Sequence, residues 1–110
     1  LKAWIDHVVR LGRTIEYGST QPYGLVGARR AVVITSRGSD FRVDGLNAAL
    51  DFQEPYLRTV LGFLGVTDVR FVHADHQGPN WPDGDAVVAE AEATVRRLAR
   101  EVPAEVGSAA

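Results

Sequence analysis

The chain has 110 residues, with 12 Lys plus Arg against 14 Asp plus Glu, a formal charge of −2, and 45% hydrophobic residues, so one compact soluble domain is expected. That balance argues against disorder, collagen and a basic nucleic-acid platform, and with no Cys and no Met there is no disulfide framework, thiolate nucleophile or Cys-ligated metal centre to build. Apolar runs such as Ala31-Val-Val-Ile34 are far shorter than the roughly 18 to 20 residues of a membrane span, so the expected setting is the cytoplasm, with neither membrane nor nucleic acid as partner.

Residues 1 to 12 place Leu1, Trp4, Ile5, Val8 and Leu11 at helical spacing, which predicts an amphipathic helix stopped by Gly12. The start at Leu1, without a residue to cap that helix, leads to the expectation of a fragment. Thr14-Ile-Glu-Tyr17 and Tyr23-Gly-Leu-Val26 are short β-prone pieces around the turn-forming Gly18-Ser-Thr-Gln-Pro22, a loose hairpin. Ala31-Val-Val-Ile-Thr35 is a continuous apolar and β-branched run, read as a buried strand that opens into Ser36-Arg-Gly-Ser39. Asp51-Phe-Gln-Glu54 fits a capping box for a helix from about Phe52 to Leu64, ended by Gly65. Val69-Arg-Phe-Val72 is the next strand, so residues 31 to 74 form a strand, helix, strand unit with parallel pairing. After a Gly/Pro-rich stretch, Asp85 is expected to cap a last helix with Val87, Ala91, Val95, Leu98 and Val102 on one stripe. Residues 103–110 read as a disordered tail.

Three places offer chemistry. In open α/β sheets ligands bind beyond the carboxyl ends of parallel strands, which singles out Ser36 and Ser39 for their hydroxyls, Gly38 for close backbone approach and Arg37 for reach toward an anion or carbonyl. On the middle helix, Leu57, Val60, Leu61 and Leu64 form a stripe, and Phe52, Tyr56 and Phe63 widen it beyond what one sheet covers. That surplus suits a larger core, a subunit interface or an aromatic ligand wall. His73-Ala-Asp-His76 lacks a metal-ligand pattern and is read as hydrogen bonding in a loop, while His7 reads as solvated and Asp83 and Asp85 as helix-capping residues. No phosphate-cradling glycine motif is present.

Thr35-Ser-Arg-Gly38, the run from Leu50 to Gly65 (LDFQEPYLRTVLGFLG) and Thr67-Asp-Val-Arg-Phe-Val72 together resemble the C-terminal half of the FMN-dependent NADH-azoreductase and NAD(P)H quinone oxidoreductase family, as do residues 1–10 and Thr14-Ile-Glu-Tyr17. The resemblance covers residues 1–102. It implies a flavodoxin-like three-layer α/β/α fold with a parallel sheet, of which only the C-terminal half is here: helix, hairpin-like loop, strand, helix, strand, helix. It further implies FMN as cofactor, NADH or NADPH as donor, two-electron ping-pong transfer to a quinone or azo acceptor, and a homodimer with its active site near the interface. Carried over by position, Ser36, Arg37, Gly38 and Ser39 contact the flavin ring, and Tyr17 and Phe63 line the substrate side. Ser39 stands where many relatives carry a second glycine, and the stretch from Phe41 to Ala49 is longer than usual. The family's first three strands and phosphate loop are not in these residues, so the fragment alone is expected to be inactive or poorly folded. The alternative is a non-catalytic flavodoxin-like fragment serving dimerisation or interaction.

Overall fold

The computed structural model describes residues 1–18, 22–27, 30–42, 44–45 and 47–101. In chain order come α1 (Lys2–Val8), β1 (Ile15–Tyr17), β2 (Pro22–Gly24), β3 (Ala31–Ser36), a 3-10 turn (Ala48–Leu50), α2 (Gln53–Phe63), β4 (Val69–Ala74) and α3 (Gly84–Arg100). They divide into two compact units, Leu1–Ala31 with Gln53–Val69 and Val32–Phe52 with Arg70–Ala110. The expected tail at 103–110, Val102 of the last stripe and residues 19–21 of the hairpin turn lie outside the described residues.

In the first unit α1 is shorter than its periodicity predicts: it ends at Val8, and Val9 is already extended. Thr14 supplies the reason. Its hydroxyl donates to the Val8 carbonyl and accepts from the Arg10 N–H, taking backbone groups that another helical turn would have used. Gly12 therefore serves a tight turn rather than a helix stop, at a φ of +78° where glycine meets no Cβ penalty. The hairpin is present, with β1 and β2 antiparallel and Ile15 opposite Gly24 and Glu16 opposite Tyr23.

The bare backbone of Gly24 lies against the end of α2, where a Cβ would come 2.0 Å from the Leu64 carbonyl carbon. The Val26 N–H then donates to the Leu64 carbonyl at 3.0 Å. Gly65 ends α2 as predicted, at a φ of +99°, while the Val66 N–H reaches back to the Leu61 carbonyl at 2.9 Å. Ile5, Ile15, Leu57, Leu64, Val66 and Val69 are buried apolar residues of this unit. Each such Leu, Ile or Val contributes roughly 1.5–3 kcal/mol by leaving water.

β3 and β4 share a two-stranded sheet. The Ala31 N–H donates to the Asp68 carbonyl at 3.0 Å and the Arg37 N–H to the Ala74 carbonyl at 2.9 Å, so the partners advance together and the strands are parallel, as predicted. β4 runs two residues past Val72, which places His73 inside the strand. The expectation that β3 is buried on both faces does not hold: Val32 is 42% and Ile34 61% exposed, while Ala31, Val33 and Thr35 are half-buried. Successive strand side chains point to opposite faces, and the face of Ile34 opens onto a groove instead of a packed layer.

Among the described residues of the second unit, Val72, Ala74 and Leu98 are buried and apolar. α3 turns Val87, Val88, Ala91, Val95 and Leu98 inward and leaves Glu92 and Arg96 exposed. Its N-cap is Asp83, not Asp85; Asp85 sits in the first turn, and Asp83 makes no side-chain capping bond because its carboxylate is engaged by His76. Among the described residues no helix is long and apolar enough to cross a membrane.

Candidate functional site at the strand carboxyl ends

Two loops leave the carboxyl ends of the parallel strands, one from β3 toward the 3-10 turn and one from β4 toward α3. Their backbones are bonded to each other beyond the strand ends. The Gln77 N–H donates to the Arg37 carbonyl (3.1 Å), Gly78 N–H to Gly38 (2.8 Å) and His76 N–H to Ser39 (3.1 Å). The approach needs a glycine at position 78, since a Cβ there would lie 2.7 Å from the Gly38 oxygen.

Within the β3 loop, Ser36 and Gly38 are exposed and Arg37 points the other way. Its guanidinium is buried, with Nε 2.6 Å and Nη2 3.1 Å from the two oxygens of Asp75, and Nη1 3.0 Å from Asp51 Oδ2. Burial works against the charge, but the hydrogen bonds to Asp75 and Asp51 outweigh it and hold the guanidinium above its ordinary value. Asp75, only 3% exposed, also accepts the Phe41 N–H at 3.0 Å, and the Arg37 guanidinium lies 4.9 Å from the centre of the Phe41 ring. The side chain expected to reach a ligand thus braces the loop from behind. The Ser39 hydroxyl accepts from Asn47 Nδ2 at 2.6 Å, which fixes its direction.

A second polar cluster lies beside the first. Asp40 is buried and receives the Arg42 guanidinium at 2.9 and 2.7 Å, which holds its carboxyl well below the usual carboxylate range. His76 is buried as well. Its Nδ1 lies 3.0 and 3.1 Å from the two oxygens of Asp83, and its Nε2 is 3.5 Å from Asp40 Oδ2. The hydrogen bond to Asp83 raises the imidazole above its ordinary value, against the effect of burial and with a smaller contribution from Asp40.

His73 and His76 therefore separate: His73 Nδ1 meets the Thr35 hydroxyl from within β4, and Asp75 serves Arg37. Among the described residues no group of three or more His, Asp or Glu is placed to hold a metal ion. Tyr17 and Phe63 both belong to the first unit and are exposed. An apolar groove of about 510 Å³ runs between the sheet and α3, with Ile34, Ser36, Ala74, Val88 and Val95 among its walls.

Sequence reasoning passed over Asp40, Asp51, Trp81 and Asp83 as site residues. One signal does exist: Arg30 with Asp68, Thr35 with His73 and Arg37 with Asp75 are all 38 residues apart, a constant spacing set by the parallel register.

Paired loops beyond adjacent parallel strands, one presenting a serine and an open glycine, define an α/β protein of the kind that takes its ligand at the strand ends. The chain belongs to the family with the flavodoxin-like fold, whose pattern matches residues 1–99. It is 50% identical over 91 residues to an FMN-dependent NADH:quinone oxidoreductase of Ralstonia nicotianae, a match covering 83% of this chain and 43% of that protein. It is 44% identical over 98 residues to the FMN-dependent NADH:quinone oxidoreductase of Nostoc punctiforme, covering 86% of this chain and 46% of that one. Among solved structures, an FMN-dependent NADH-azoreductase from Bacillus anthracis in complex with FMN superposes with a TM-score of 0.81 at 25% identity, covering 92% of this chain and 47% of that chain. The chain spans about half the length of the curated relatives it matches.

Proposed function

We propose that the polypeptide carrying this sequence is an FMN-dependent NADH:quinone oxidoreductase, that these residues form its C-terminal half, and that the loop from Ser36 to Ser39 contacts the flavin ring. The observation that carries the reading is the 50% identity over 91 residues to a protein of that name. The chemistry of the loop fits a flat ring: Ser36 offers an exposed hydroxyl, and a Cβ at Gly38 would meet only Gly78, at 3.9 Å, so the backbone face is open.

FMN, when bound, supplies two-electron hydride chemistry. This chain's part is to bind and orient. Ser36 and the Gly38 backbone form the contact surface, Asn47 aims the Ser39 hydroxyl, and Arg37 acts through Asp75 and Asp51 to keep the loop rigid. Tyr17 and Phe63, exposed and aromatic, suit the substrate side. The fuller reading has NADH or NADPH as donor and a quinone or azo compound as acceptor, alternating at one site in ping-pong fashion, in a cytoplasmic homodimer.

The test uses the native full-length polypeptide. It is expected to copurify with a visible flavin band and to oxidise NADH with a quinone, and to lose both on removal of FMN. Flavin-independent turnover, or no FMN binding, overturns the proposal. A second reading, a non-catalytic interaction module, is favoured by the exposure of Phe52, Tyr56 and Phe63. A monomeric sedimentation profile counts against that alternative.

A further inference from the structure

His76 holds a conformation that its residue type disfavours. Its φ is +64°, among the described residues the sole non-glycine value in the left-handed region. Such a backbone persists when its surroundings over-determine it, and here they do. The imidazole is stacked on Trp81 with ring centres 4.0 Å apart and planes within 9°. One edge faces Asp83, from the turn before α3, and the other faces Asp40, from the β3 loop. The His76 N–H itself is bonded to the Ser39 carbonyl, one residue before Asp40.

The protonation of the ring decides how many of these contacts it satisfies. Contact with the Asp83 carboxylate requires a proton on Nδ1. Nε2 is buried with no hydrogen-bond partner and has a carboxylate oxygen 3.5 Å away. With both nitrogens protonated, the ring presents a donor and a positive charge to each carboxylate; with Nδ1 alone protonated, it turns a lone pair toward buried Asp40. The carboxylate of Asp40 has little room to retreat, since a Cβ at Gly45 would lie 2.3 Å from its Oδ1. The charged groups around the ring are Asp83, Asp40 with its partner Arg42, and the neighbouring Asp75 with its partner Arg37.

We infer that His76 is a positioning residue for the β3 loop: as a cation bridging Asp40 and Asp83, it clamps the loop of Ser36–Ser39 to the loop after β4, and the clamp loosens when the ring gives up its second proton. What the clamped loop binds rests on the reading under Proposed function. The direction of the pH effect follows from the raised His76 value. The clamp contributes fully below about pH 6.5, the ordinary histidine value, and is lost as pH rises through the higher value of the folded protein.

Two readouts on the native full-length polypeptide test this. The first is amide hydrogen exchange, corrected for intrinsic rates, at Gln77 and Gly78, whose N–H groups tie the β4 loop to Arg37 and Gly38. Protection is expected to be lost progressively between pH 6 and pH 9, as the ring gives up its second proton. In His76→Asn the left-handed backbone is tolerated and a donor to Asp83 remains, so the fold is retained while the pH response disappears. Asp83→Asn, a second variant, is expected to move the fall to lower pH. A flat profile in the unsubstituted protein, or a His76→Asn profile that falls equally, overturns the clamp.

The second readout is FMN affinity across the same pH range, expected to weaken in parallel with protection. Protection that falls while affinity stays constant overturns the positioning role. No FMN binding at any pH overturns the function proposed above, and the exchange data then decide the clamp by themselves.

Discussion

Each of the two units of this chain is stabilised internally by different physics. The first closes around aliphatic side chains, Ile5, Ile15, Leu57, Leu64, Val66 and Val69, and around a glycine backbone pressed onto the end of a helix. Its ion pairs, Lys2 with Asp6 and Glu54 with Arg58, lie at helical i,i+4 spacing near the surface, apart from the more buried Arg30 with Asp68. Among the described residues the second unit buries Val72, Ala74 and Leu98 as apolar residues, but also Asp40, Asp75 and His76. Apolar packing is indifferent to pH and tolerant of sequence, whereas buried charge fixes one geometry and fails when a partner is lost. A loop that must keep its shape beside a ligand gains from the second kind of support, and the candidate site lies there.

The sharpest way to break the comparison is to damage each unit through its own device. Gly24→Ala puts a Cβ 2.0 Å from the Leu64 carbonyl carbon and must displace backbone, so a loss above about 3 kcal/mol is expected in urea unfolding. Gly27→Ala is the control, because a Cβ there meets nothing within 4 Å and a change within about 1 kcal/mol is expected. In the second unit, Arg37→Met keeps the stem but takes the guanidinium away from the carboxylates of Asp75 and Asp51. A loss of about 3 kcal/mol is expected, concentrated in exchange protection at Phe41, whose N–H bonds to Asp75.

Acid offers a gentler probe. The Asp40 carboxyl is held low chiefly by Arg42, so its contribution is complete above about pH 4, the ordinary aspartate value, and is lost as pH falls toward the lower value in the folded protein. Together with the alkaline loss at His76, this places maximal protection of the paired loops between about pH 4 and 6.5. The Leu25 amide beside the hairpin, which donates to the Thr14 carbonyl, should show no such optimum. Comparison of exchange at Leu25 and at Arg42, whose N–H bonds to Asp40, tests the contrast directly.

The smaller effects sharpen the contrast at the surface. Thr14→Val removes the hydroxyl that stops α1, with an expected cost of about 1 kcal/mol by thermal unfolding. Glu92→Gln breaks an exposed 4.0 Å pair with Arg96 on α3, and its effect should stay below about 0.5 kcal/mol.

Local signals carried much of the fold. Gly65 as a helix end, the hairpin around residues 15–24 and the strands at 31 and 69 follow from side-chain period and backbone freedom, which act over a few residues. The end of α1 was harder to read, because Thr14, six residues beyond Val8, competes for the helix's backbone groups. The exposure of Val32 and Ile34 was hidden for another reason: an apolar strand reads alike whether or not both of its faces are covered.

By itself the sequence determined the order of elements, the parallel pairing and the loop whose residues resemble a flavin contact, because these depend on local propensity, spacing and likeness. Only the tertiary structure decided that Arg37 turns inward, that Asp83 leaves its helix for His76, and that His73 and His76 part company. Those choices depend on which charges meet across 38 residues or across the turn before α3, and a charged side chain carries no mark of the partner that burial will give it.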